Sequence, residues 1–261
     1  MNLSLEGKNA VICGSTQGIG LAIAEELALL GANCTLIARN EEALKAAVYI
    51  LDIALRQKHG WLLADFSKPD EVNKVIEAHV AKNPVHILIN NSGGPAAGPI
   101  IEATEQAFIN TFNQHLICNH ILTKAVTPSM KKENYGRIIN VISTSVKIPL
   151  KNLGVSNTIR GAVASWAKSM SNELGQFNIT VNNILPGFIN TQRLSSIIEG
   201  NAKKGNITPD IAEKNMKDEV PMKRFGETSE IAAVAAFLAS PAASYVNGVS
   251  IPVDGGRTGS I

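Results

Sequence analysis

Seven short apolar runs recur along the chain, separated by stretches whose apolar residues repeat at helical spacing. Runs such as ILIN, RIINVI and TVNNIL are continuous, the pattern of strands covered on both faces rather than one. Strands are predicted near 9–13, 33–38, 61–64, 86–89, 136–142, 178–184 and 248–253. Helices are predicted between them, near 18–30, 41–57, 69–81, 105–131, 155–174 and 229–239. Repeated strand–helix units of this kind predict an α/β protein with one doubly wound parallel sheet of about seven strands and helices on both faces. No linker, low-complexity tract or internal repeat divides the sequence, so 1–261 reads as a single Rossmann-type domain. The alternation breaks at 190–227, a long polar and helical insertion after the sixth strand. Such excursions act as substrate lids or as surface decoration, and the pattern leaves both open.

The first strand breaks into the loop Gly14-Ser15-Thr16-Gln17-Gly18-Ile19-Gly20, which opens an apolar-periodic helix. Gly14 permits a tight turn, while Gly18 and Gly20 remove side chains where a pyrophosphate would approach the backbone. Unpaired N–H groups and the helix dipole favour negative charge there. The spacing is G-x3-G-x-G, and plain Gly-rich turns share it, so the loop needs its strand–helix context to point to a dinucleotide. An NAD enzyme of this fold holds the ribose 2′-hydroxyl with an acid at the end of the second strand. Ala38 stands at that position and Arg39 follows it. A guanidinium suits a 2′-phosphate, which favours NADP.

Composition narrows the partners. The net charge of +2 is dispersed, with no basic stripe for nucleic acid and no polybasic membrane patch. Cys13, Cys34 and Cys118 are an odd, scattered set in apolar segments, which fits a reducing compartment rather than a disulfide framework. The N-terminus carries no signal-peptide pattern, and the apolar runs fall short of a membrane span. The expectation is a cytoplasmic protein that acts on a small molecule.

With these pieces in place the chain resembles the short-chain dehydrogenase/reductase family over nearly its whole length. The Gly loop, Asp65 with Phe66 after the third strand, Asn91-Ser92-Gly93 within the N-N-x-G segment after the fourth, and Pro186-Gly187 with Ile189 and Thr191 each match the family's cofactor segments. The resemblance is closest in overall pattern to 3-oxoacyl-carrier-protein reductases. It implies a carbonyl or acyl-thioester substrate and a homodimer or homotetramer.

The family carries a Ser, a Tyr with a Lys four residues later, and an Asn on the long helix before the Ser strand. Ser143 aligns with the Ser, but the Tyr and Lys positions fall on Ser156 and Arg160, and the Asn position on His115. A Tyr, whose pKa of about 10 a neighbouring Lys lowers, donates a proton that a Ser hydroxyl does not. Arg160 still suits the nicotinamide ribose hydroxyls, and Ser143 with Ser156 suits a carbonyl oxygen. Tyr49, Tyr135 and Tyr245 lie in segments that the family fold places away from the nicotinamide. Two substitute acids are Lys147, in the loop leaving the serine strand, and His115. Each also reads plainly, as a solvated lysine and as a helix histidine held by a backbone carbonyl. His115, Cys118 and His120 share no metal-ligand spacing, so no metal is expected. Three readings stay open: an NADP-dependent oxidoreductase with altered catalytic groups, a non-catalytic NADP-binding sensor or assembly partner, and a non-redox reaction in the same cleft.

Overall fold

The apolar runs form β1 (Asn9–Cys13), β2 (Asn33–Ala38), β3 (Gly60–Leu63), β4 (Ile87–Asn90), β5 (Gly136–Val141), β6 (Ile179–Pro186) and β7 (Ser250–Val253). In the computed structural model, which describes residues 1–260, they join in one parallel sheet of order β3-β2-β1-β4-β5-β6-β7. The continuous apolarity has a direct cause in the pleat, which sends successive side chains to opposite faces. Ala10 and Ile12 of β1 join one core with Ile23, Leu27, Ile231 and Leu238. Val11 and Cys13 join the other with Ile76, Leu122, Val126 and Ala167. The first face is covered by α1 (Gly18–Leu29) and α9 (Thr228–Ala239). The second is covered by α3 (Pro69–Val80), α5 (Cys118–Lys132) and α6 (Gly154–Leu174). All three cysteines are free and buried.

One polar row crosses this apolar sheet. Asn90, Asn140 and Asn183 stand in register on β4, β5 and β6, and Ser250 follows on β7. Asn90 Nδ2 donates to Asn140 Oδ1 at 2.9 Å, Asn140 Nδ2 to Asn183 Oδ1 at 2.9 Å, and Asn183 Nδ2 to Ser250 Oγ at 3.0 Å. Each amide bonds to the next, with Asn90 Oδ1 at the head of the row left without a partner among the described residues, and the row fixes the register of four strands next to the cleft.

Two expected helices change in detail, and the insertion resolves into helices as expected. The helix predicted over 41–57 stops early, as α2 (Glu41–Tyr49). Beyond it, Gln57 Nε2 donates to Ala28 O at 2.7 Å, His59 Nδ1 accepts from Cys34 N at 3.1 Å, and Arg56 sits at φ 63°. These long-range bonds and the left-handed residue are incompatible with a continued helix. The helix predicted over 105–131 is α4 (Glu105–Phe112), a π turn at Asn113–Ile117, and then α5. The insertion is two helices, α7 (Gln192–Gly205) and α8 (Pro209–Asp218), begun by the capping residues Thr191 and Thr208. It has a small core of its own, in which Leu194, Met216 and Phe225 pack with Phe188 and Ile197.

The π turn carries the buried His115. Its Nδ1 lies 2.8 Å from Ser92 Oγ, and its Nε2 has no hydrogen-bond partner among the described residues. Burial, with the nearby Arg160 charge, pushes the imidazole down to about 3.

Two outcomes are expected. Asn140→Ala leaves Asn90 Nδ2 and Asn183 Oδ1 unpaired, at a cost of about 2–3 kcal/mol in guanidinium denaturation. His115 binds a proton below about pH 6.5 in the unfolded chain but not in the folded one, so its contribution to stability is lost as pH falls from 6.5 toward 3. His115→Asn removes that dependence. On going from pH 7 to pH 5 the variant loses about 2 kcal/mol less stability than the parent, as read by denaturation at the two pH values.

Candidate active site

The strand order reverses between β1 and β4, and ligands of such sheets bind beyond the strand ends at that point. Here the loop after β1 is drawn in tightly. Gly14 has φ 57°, and a Cβ on it would stand 2.7 Å from Asn91 O. A Cβ on Gly20 would stand 2.2 Å from Gly14 O. Asn91 Nδ2 donates to Gly14 O at 3.1 Å and to Cys13 O at 3.3 Å, tying the loop to the end of β4. The capping residue Gln17 is extended and gives no side-chain cap, so the first N–H groups of α1 are not taken by it.

A cleft of about 980 Å³ opens over this loop. Gly14, Thr16, Gln17, Gly18 and Ile19 form its floor. Arg39, Asp65 and Phe66 line one end, from the loops after β2 and β3. The Ser67 amide, with Arg39 and Lys68 nearby, holds the Asp65 carboxyl below its usual range. Asn91, Ser92 and Gly93 line the middle; Pro186, Gly187, Ile189 and Thr191 form the opposing wall. Ser143, Ser156 and Arg160 complete the lining. Residues from seven separate segments thus meet in one cavity.

Four expected site residues lie elsewhere. Ser15 turns inward, its Oγ donating to Ile12 O at 2.9 Å, because the tight turn leaves the hydroxyl facing the core. Gly20 lies beneath the loop rather than on the cleft. His115 is behind Ser92, one hydrogen bond removed from the lining. Lys147 is exposed, at the end of a short 3-10 turn, and is not among the lining residues. None of the three tyrosines lines the cleft. Tyr135 is buried with its hydroxyl on Ala239 O at 2.6 Å, while Tyr49 and Tyr245 are exposed.

The geometry around Arg160 is specific. Nη1 donates to Ile142 O at 2.8 Å and to Val141 O at 3.3 Å, which anchors α6 to the end of β5. Nε donates to Ser156 Oγ at 3.3 Å, one helical turn away. Burial, with the Arg193 charge, lowers the guanidinium to about 10, so it stays cationic at neutral pH. Ser143 Oγ accepts from Ser145 N at 3.1 Å. Both serine hydroxyls therefore use acceptor capacity on protein N–H groups and keep their O–H free to donate.

Among the lining residues that the sequence did not single out, two long polar side chains bond to the loop after β4. Gln114 Nε2 donates to Gly93 O at 3.3 Å, and Arg193 Nη2 donates to Pro95 O at 2.9 Å. Arg193 follows Thr191 by two residues, but only the fold of α7 against the loop after β4 brings it to the cleft. Among the described residues no cluster of three His, Cys, Asp or Glu could hold a metal, and no helix is long and apolar enough to cross a membrane.

The family model described as enoyl-(acyl carrier protein) reductase matches residues 14–258. The chain is 32% identical to NADPH-dependent reductase BacG of Bacillus subtilis, over 97% of this chain and 99% of that one. It is 31% identical to 3-oxoacyl-[acyl-carrier-protein] reductase FabG of Pseudomonas aeruginosa, over 97% of this chain and 98% of that one. The crystal structure of L-sorbose reductase from Gluconobacter frateurii, complexed with NADPH and L-sorbose, superposes with a TM-score of 0.93 at 30% identity, covering 100% of both chains. A reversed parallel sheet, a Gly loop at its switch point and relatives of this extent place the chain in the short-chain dehydrogenase/reductase family.

Proposed function

We propose that this protein is an NADP-dependent oxidoreductase that moves hydride to or from a carbonyl or alcohol, with Ser143, Ser156 and Arg160 where the family carries Ser, Tyr and Lys. The observation that carries the reading is the pair of cleft-lining hydroxyls, on Ser143 and Ser156, each already accepting from a protein N–H. Their free O–H groups suit a carbonyl oxygen that gains negative charge as hydride arrives. Arg160 adds a fixed positive charge beside Ser156.

NADP, when bound, supplies the hydride chemistry. The floor of the loop and the first N–H groups of α1 suit its pyrophosphate, and Arg39 beside Asp65 suits the 2′-phosphate end. The NADPH-bound relative and the NADPH-dependent one support the same assignment. The likeness to the 3-oxoacyl reductase supports a carbonyl of that type, an acyl thioester included. The helical insertion, whose Leu194 and Ile197 reach the cleft, acts as a lid in this reading. The exposed apolar residues Ile109 and Phe112 on α4 suit contact with a second copy in a homodimer or homotetramer.

Proton delivery follows from the same geometry. His115 near 3 is neutral at physiological pH, which removes it both as an acid and as an effective base. Lys147 faces solvent outside the lining. The oxyanion is held by hydroxyls and guanidinium, and its proton comes from water. The same lack of a titrating acid favours a second reading, a cofactor-binding protein without turnover.

Titration with NADPH and NADH, followed by a panel of 3-oxoacyl thioesters, diketones and free 2-oxo and 3-oxo acids, separates the two readings. Turnover supports the oxidoreductase; tight NADPH binding with no oxidation of any carbonyl supports the second. Arg39→Ala is expected to weaken NADPH binding about tenfold while changing NADH binding little, because it removes a charge-assisted contact to the 2′-phosphate alone. In the active enzyme, kcat/KM is expected to stay flat from pH 6 to pH 9, and Ser156→Ala to lower kcat roughly 10- to 100-fold. A profile with a titration near neutral pH would put a side-chain acid back in the mechanism.

A further inference from the structure

The end of the cleft beside Ser156 carries two cations and no anion. Arg160 is only 9% exposed, and its protein bonds run through Nε and Nη1, so that Nη2 has no protein acceptor among the described residues. A Cβ on Gly94 would stand 3.5 Å from Arg160 Nη2 and 3.8 Å from Arg193 Nη2. Two guanidinium tips therefore flank one point on the cleft wall, arriving from α6 and α7. The acidic residues of the lining are Glu25 and Asp65, on α1 and after β3. Neither belongs to the segments that form this end. Two like charges held this close, one of them buried, repel each other unless an anion is shared between them.

We propose that Arg160 and Arg193 form a carboxylate clamp, and that the substrate is a free oxo acid whose carboxylate lies close to the reacting carbonyl. This rests on reading the cleft as the reductase site and narrows its carbonyl class. Arg160 Nε holds Ser156 Oγ, so the anion bound at Nη2 lies within one side chain of the hydroxyl offered to the carbonyl oxygen. That distance suits a 2-oxo or 3-oxo acid. The missing side chain at Gly94 leaves room for the carboxylate, and Arg193, tethered to Pro95 O at 2.9 Å, is held in place to meet it. Guanidinium geometry matches two carboxylate oxygens. A phosphate of the cofactor offers the same charge, and the experiment separates the two sources.

The test compares benzoylformate with its methyl ester as substrates, and benzoate with benzamide as unreactive ligands of the NADPH complex. The parent protein is expected to favour the acid over the ester at least tenfold in kcat/KM, and to bind benzoate but not benzamide. Arg193→Met, at an exposed position, is expected to collapse both preferences, and Arg193→Lys to restore part of them. Equal use of acid and ester by the parent overturns the clamp. So does a tenfold loss of NADPH affinity in Arg193→Met, which would assign the guanidinium to a cofactor phosphate. Benzoate binding that depends on Arg193, without turnover of either substrate, supports the clamp and overturns the reductase reading on which the substrate class rests.

Discussion

The contact between the Gly14 turn and Asn91 sets the position of everything else in the cleft. Gly14 takes a left-handed turn that a side chain would oppose, and no atom fits between Gly14 O and Gly20. Asn91 then holds two consecutive carbonyls of the turn from the neighbouring strand end. The start of α1 is thereby fixed against β4, and its first N–H groups open onto the cleft. The asparagine row of Asn90, Asn140 and Asn183 extends that control sideways. It locks β4, β5 and β6 in register, so the segments that follow them, with Ser92, Ser143 and Pro186, leave the sheet at matched heights.

Arg160 gives its end of the cleft a spread of fixed donors rather than a single one. A lysine in its place would be a point charge on a flexible stem, whereas the guanidinium distributes its donors among the end of β5, Ser156 and the cleft. The same side chain is thus structural on one edge and open on the other. Its charge also contributes to keeping His115 neutral. In the proposed reading, two hydroxyls and a guanidinium suit the holding of an oxyanion better than proton exchange.

Much of this was legible in the chain because parallel strands buried on both faces have a distinctive pattern. All seven strands, the α/β class and the Gly loop follow from apolar runs and glycine spacing. Local propensity misjudged places where distant groups compete for the backbone. The helix from Glu41 ends at Tyr49 because Gln57 and His59 bond to Ala28 and Cys34, partners a linear pattern does not reveal. The π turn at Asn113–Ile117 carries no comparable sequence signal.

The order of residues along the chain already carried the sheet, the Gly loop and Arg39 where an acid would mark NAD. Those features depend on residue type at short spacing, which a chain displays in order. Packing, not order along the chain, turns Ser15 to the core, leaves Lys147 exposed, and buries His115 in its neutral form. It also brought Arg193 beside Arg160, although 32 other residues separate them in the chain. Direction, burial and convergence are properties of packing, because side chains from distant segments meet only after the sheet has set where each loop begins.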